Sequence, residues 1–175
     1  ITITNISVIE VLGDKPRIDY SDSLTEPSLL LEPQSTNLIT YSEDFSQWTL
    51  NGTSKTFIGK NKLGLDYWEI NGQNNLGIYK NQAITIGSTI TSSVFVKKST
   101  SDIVNLRYGG NINKNAHFNL TNGVVSSATA GVTAKIKDFG NGWFRVSNTC
   151  TTQSDSVASV AIYAQGGSIY ASAAQ

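Results

Sequence analysis

The side chains of this 175-residue chain that could do chemistry are the polar and aromatic residues interleaved with its apolar runs. A sugar ring has an apolar face and a rim of hydroxyls. A surface that holds one needs exposed aromatic planes beside amide, guanidinium, imidazole or ammonium groups. In residues 103–108, Val104, Leu106 and Tyr108 alternate with Asn105 and Arg107. In 116–120, Phe118 and Leu120 alternate with His117 and Asn119, and in 143–150 Phe144, Val146 and Cys150 alternate with Trp143 and Arg145. Successive strand residues point to opposite faces, so the apolar sets face a core and the others face out. Asn105, Arg107, His117, Asn119, Trp143 and Arg145 then form one sugar-binding surface if their strands adjoin in one sheet. Lys135 and Lys137 can add positive charge to it, which favours an acidic or sulfated polysaccharide over a neutral one. Loop ends near Trp68 and Tyr79 are the other place for a ligand. The plain alternative is a solvated outer face, or one covered by an identical subunit.

Catalysis has little to draw on. His117 is the single histidine, and no G-x-S-x-G nucleophile elbow accompanies it. The carboxylates, among them Glu43, Asp44, Asp66, Glu69, Asp102 and Asp138, fall mostly in turns rather than as a glycosidase pair. Phosphate-binding glycine loops, metal-binding histidine pairs and dinucleotide fingerprints are absent from the sequence. The expectation is a protein that is not an enzyme.

Composition bounds the rest. The 13 basic and 13 acidic residues balance, so no net basic field gathers nucleic acid. Charged residues make up 15% of the chain, and Ser, Thr, Asn and Gly fill the difference. No apolar run approaches the ~20 residues of a membrane-spanning helix, so no membrane insertion is expected. With one cysteine, Cys150, there is no intrachain disulfide, and its place on an apolar strand marks it as a buried small residue. The chain has no methionine, which suggests a fragment or a processed product.

The elements that must position these residues are strands. Turn signals recur at short spacing: Asn51-Gly52, Asn71-Gly72, Gly109-Gly110, Asn122-Gly123, Asn141-Gly142 and Gly166-Gly167. Asn-Gly supplies the positive φ of tight hairpins. Between them lie runs rich in Val, Ile, Thr, Phe and Tyr, without sustained helical periodicity. The fold class is therefore all-β, an antiparallel β-sandwich of jelly-roll type over residues 36–175. Residues 1–35 form an N-terminal strand and linker: a strand over 1–11, an extended piece at Arg17-Ile18-Asp19-Tyr20, and a linker over 21–27. Residues 37–41 are expected as a short strand, 42–44 as a polar turn, and Phe45 and Trp48 as a plug at one end of the sandwich. Tyr67 and Trp68 point opposite ways, so one is core and the other exposed.

The stretch PRIDYSDS (16–23) followed by PSLLLEPQSTNLITYSEDFSQWT (27–49) is similar to a segment of bacteriophage and prophage fibre and spike proteins, where it precedes a jelly-roll module resembling carbohydrate-binding modules. SSVFVKKSTSD (92–102) and HFNLTNGVVSS with AKIKDFGNGWFRVS (117–147) resemble the same family. The resemblance implies a non-catalytic polysaccharide-binding module of a fibre or spike, located in a virion or outside the cell. It also implies assembly of identical copies, for instance a homotrimer. It places a structural calcium ion, the one cofactor expected, at Glu43 and Asp44, although two adjacent carboxylates supply only part of calcium's six to eight oxygens. It casts Asn141-Gly142-Trp143-Phe144-Arg145 as a hairpin in which Trp143 and Arg145 brace the sheet, with Arg145 stacked on Trp143 for about 0.5–1 kcal/mol. Two further readings stay open: a structural fibre or capsid-decoration domain without a ligand, and a carbohydrate-binding appendage of a secreted polysaccharide-degrading enzyme.

Overall fold

The computed structural model describes residues 17–19, 28–30, 37–61, 64–72, 76–110, 112–153 and 155–174. The chain divides into two compact units, Ile1–Asn37 and Leu38–Gln175. In the first, strand β1 (Arg17–Asp19) pairs antiparallel with β2 (Ser28–Leu30), setting Ile18 opposite Leu29. The strand expected over 1–11 and the linker over 21–27 lie outside the described residues.

The second unit is all-β. Its strands are β3 (Thr49–Asn51), β4 (Ser54–Lys60), β5 (Asp66–Gly72), β6 (Leu76–Ala83), β7 (Thr89–Lys98) and β8 (Ile103–Gly109), then β9 (Lys114–Asn119), β10 (Val124–Ala128), β11 (Val132–Asp138), β12 (Trp143–Thr151), β13 (Val157–Gln165) and β14 (Gly167–Ala174). They form two six-stranded antiparallel sheets. Sheet one runs β11-β12-β7-β14-β5-β4 and sheet two runs β10-β9-β8-β13-β6-β3. The central quartets, β12-β7-β14-β5 and β9-β8-β13-β6, are filled by a chain that crosses from sheet to sheet at most of its connections. That order is two interleaved Greek keys, a jelly roll.

Alternation places the core as the sequence predicts. Ile70, Ile78, Val94, Val96, Val104, Leu106, Phe118, Val146, Ile162 and Ile169 are buried between the sheets. Phe45 and Trp48 join them from a 3-10 turn (Phe45–Gln47), their rings meeting edge-on at 5.0 Å. Cys150 is buried as expected, and burial raises its thiol pKa above the ordinary range. Among the buried polar residues, Asn148 sits fully inside. Its Nδ2 donates to the Leu106 carbonyl at 3.1 Å, and Tyr108 Oη donates to the Asn148 carbonyl at 3.1 Å. These two bonds tie β12 of sheet one to β8 of sheet two.

Local departures from expectation have local causes. Residues 37–41 are not a strand: Tyr41 takes a left-handed φ of 58° and turns the chain. Its carbonyl accepts from Trp48 Nε1 at 3.1 Å. The Asn-Gly pairs also divide. Asn122-Gly123 and Asn141-Gly142 turn hairpins, whereas Asn51-Gly52 carries the chain from one sheet to the other and Asn71-Gly72 ends β5.

Candidate ligand-binding site

The six residues expected to share one surface are split between the two sheets. Asn105 and Arg107 on β8, with His117 and Asn119 on β9, belong to the outer side of sheet two. Trp143 and Arg145 on β12 belong to the outer side of sheet one. Alternation assigns a face within a strand but says nothing of which sheet the strand enters.

Within sheet two the residues do mostly structural work. Asn105 is 2% exposed, in a cross-strand row with Tyr163 and His117, and so offers no contact surface. The Asn119 carboxamide oxygen accepts from the backbone N–H of Thr121 and Asn122 at 2.8 and 3.0 Å and shapes the turn into β10. Arg107 Nη2 donates to Asn113 Oδ1 at 2.9 Å. His117 Nδ1 lies 3.2 Å from Ser127 Oγ, and burial lowers the pKa of its ring. Tyr79 is half-buried on β6, opposite Ala161, which in turn is opposite Arg107.

Trp68 is the core-side member of its pair. It packs against the core and meets Phe57 edge-on at 5.3 Å, while Tyr67 faces out. Arg145 and Trp143, expected to stack, each have another ring partner. The two are i, i+2 on one face, but the antiparallel register puts Phe95 directly opposite Arg145. The Arg145 guanidinium lies 5.7 Å from the Phe95 ring centre, and Nε and Nη2 donate to Ser93 Oγ at 3.2 and 3.0 Å.

The Glu43-Asp44 turn does not fit a calcium shell. Asp44 Oδ1 accepts from Ser46 N–H at 2.9 Å and caps the 3-10 turn, and the Ser46 hydrogen bonds hold its carboxyl below the ordinary 3.8. Carbonyls that could complete a shell are taken by ammonium groups. Lys55 Nζ donates to the Ser46 and Trp48 carbonyls at 2.7 and 2.5 Å, and Lys80 Nζ to the Gln47 carbonyl at 3.2 Å. Among the described residues, no three of His, Cys, Asp and Glu gather closely enough to hold a metal ion.

The outer side of sheet one carries a cleft of about 330 Å³. Trp143 on β12 stands opposite Lys97 on β7, and Lys97 opposite Tyr170 on β14, so the three form one row across three strands. Tyr67 from β5 bridges this row: its ring meets Trp143 at 5.8 Å and 89°, and Tyr170 at 5.7 Å and 81°. Phe95 and Phe139 close another wall, edge-on at 5.0 Å. Lys60, Asn61 and Asn141 supply polar groups along the rim.

The β11–β12 hairpin sets two of these walls. Gly140, Asn141 and Gly142 are all left-handed, with φ of 80°, 53° and 76°. Glycine and asparagine tolerate that region where branched residues do not. The turn is closed by Phe139 N–H to the Trp143 carbonyl at 2.9 Å and Trp143 N–H to the Gly140 carbonyl at 3.0 Å, which brings Phe139 and Trp143 to the cleft.

Neither a carboxylate nor a histidine lines the cleft among the described residues, so an acid–base pair for glycoside cleavage is absent from its walls. Lys135 and Lys137, exposed on β11, face out on the same side: Lys137 stands opposite Arg145. Of the sequence candidates, Trp143 alone lines this cleft. Tyr67, Phe95, Lys97, Phe139 and Tyr170 escaped the sequence reading as site residues. Phe95 and Lys97 carried the right outward parity, opposite Val94 and Val96, but nothing in the sequence joined β7 to β12. Comparison with the models of known protein families, and with curated proteins, gives no match.

Proposed function

We propose that the Leu38–Gln175 unit is a non-catalytic saccharide-binding module that takes its ligand in the cleft on the outer side of sheet one. The observation that carries this reading is the meeting of Tyr67, Trp143 and Tyr170 around a cavity of about 330 Å³ with amide and ammonium groups at its rim. Ligand pockets of such size pair apolar walls with a few placed polar groups. Aromatic faces suit the C–H side of a sugar ring, and Asn61, Asn141 and Lys60 suit its hydroxyls. The rings stand on rigid paired strands, so little ordering cost falls on binding. The resemblance to fibre and spike segments supplies the setting: an attachment module of a phage or prophage fibre, exposed outside the cell.

The test is a glycan array followed by calorimetry with Trp143→Ala and Tyr170→Ala, each checked for an intact fold by circular dichroism. The expected outcome is a loss of affinity of about tenfold or more in each, equivalent to about 1.4 kcal/mol. Unchanged affinity in both moves the site elsewhere, and silence across the array removes the reading.

A structural role between identical chains is the second reading. Leu50 on β3 and Phe57 and Ile58 on β4 are exposed, and these strands form an edge of each sheet. Apolar edge strands are surfaces that other chains cover. A monomer by light scattering at high concentration would tell against this role, and a trimer would support it.

A further inference from the structure

We infer that the saccharide is acidic, and that its carboxylate or sulfate pairs with Lys97 at the centre of the cleft. This inference rests on the saccharide-binding reading and goes further in naming the ligand class. Lys97 is flanked across the sheet by Trp143 on β12 and Tyr170 on β14. It is half-buried, and its stem runs beside the Gly142 turn, where an added methyl would lie 3.6 Å from Cε.

Two other described cations near the cleft are already engaged. Lys60 pairs with Asp66 at 2.7 Å, and Arg145 bonds Ser93 over the Phe95 ring. Lys97 has no hydrogen-bonded or ionic partner among the described residues. Glu69, opposite Tyr170 in the same row, has its Oε1 bonded by the hydroxyls of Ser99 and Ser168 at 3.0 and 2.7 Å. The Trp143 and Tyr170 positions flank Lys97 on the two neighbouring strands. An anion carried on a sugar ring gives the ammonium a charged partner, and charge-assisted hydrogen bonds are stronger than neutral ones. A neutral ring offers the ammonium no such partner. The exposed Lys135 and Lys137 on the same side add a field of the same sign for an approaching anion.

The experiment compares oligogalacturonate with its methyl ester, the same rings without the charge, and a sulfated galactan with the unsulfated polymer. Sialylated glycans with their desialylated forms complete the set. Binding is measured on the wild-type chain, Lys97→Met and Trp143→Ala at low and moderate salt. The expected result is a preference of about tenfold or more for at least one acidic member over its neutral twin, weakened by salt. Lys97→Met should abolish the preference, bringing the ratio of affinities for the acidic and the neutral twin to about one, and Trp143→Ala should weaken both. The pair that responds tells carboxylate from sulfate. Equal binding of acidic and neutral twins, or a preference that survives Lys97→Met, overturns this inference and leaves the cleft standing. Binding by no member of any pair overturns the saccharide reading, and this inference with it.

Discussion

At the scale of single residues, Lys55 is the most instructive. Its ammonium holds two carbonyls of the turn that carries Phe45 and Trp48 into the core. Hydrogen bonds from charged donors contribute about 1.5–3 kcal/mol. Lys55 is half-buried, so solvent screening sets Lys55→Met at the lower end, about 1–2 kcal/mol of stability by denaturant titration. The same geometry predicts that EDTA leaves the melting temperature unchanged and that added calcium does not raise it. Tyr108 gives a second prediction. Burial raises its phenol above the ordinary 10.0, so the folded state keeps a proton that the unfolded chain releases in alkali. Its contribution is whole below about pH 10 and declines as pH rises beyond it. Tyr108→Phe should cost about 0.5–1.5 kcal/mol near neutral pH through the lost bond to Asn148. It should also flatten the alkaline limb of a melting temperature against pH profile. Residue roles were only partly legible in the sequence. Parity told which side of a strand Asn105 and Asn119 occupy. It could not tell that Asn105 is covered, or that Asn119 spends its oxygen on a turn.

At the scale of elements, the strands and the faces they present were legible, because alternation and turn chemistry are local. The partners of each strand were not. Whether β12 adjoins β8 or β7 depends on how the chain crosses between sheets, and no local pattern encodes that. Hence the single expected surface separates into two, and the cleft draws residues from β5, β7, β12 and β14, which lie far apart in sequence. The pairing of β6 with β13 carries its own test. Gly77 stands opposite Tyr163, and a Cβ there would lie 2.0 Å from the Ile162 carbonyl oxygen and 2.6 Å from Tyr163 Cδ1. Backbone cannot yield as a flexible side-chain tip can. Gly77→Ala should destabilise the sandwich by more than about 2 kcal/mol in chemical denaturation. Gly87→Ala makes a useful control, since no atom lies near its added methyl and only the positive φ of 80° is strained. Its cost should stay near 1 kcal/mol.

At the scale of the molecule, the compact unit that holds the sandwich begins at Leu38. Ile39 is buried in the sandwich core, and the Ala174 N–H bonds the Ser42 carbonyl at 2.7 Å. A fragment beginning at Asn37 should therefore melt cooperatively, within a few degrees of the full chain. One beginning at Thr49 should lose the Phe45 and Trp48 anchors and melt far lower, as differential scanning calorimetry would show. The place of β14 has a further consequence, for the ribosome rather than the finished fold. Of the described strands of the sandwich it comes last in chain order, yet it lies between β5 and β7 in the middle of sheet one. Until it emerges, β5 and β7 each show a bare backbone rim, and the cleft lacks Tyr170. The sandwich must close after synthesis of its strands rather than during it, by long-range pairings of the kind that take milliseconds to seconds. The nascent chain would spend that interval with its stickiest strands unpaired, in need of a chaperone or of sisters growing alongside.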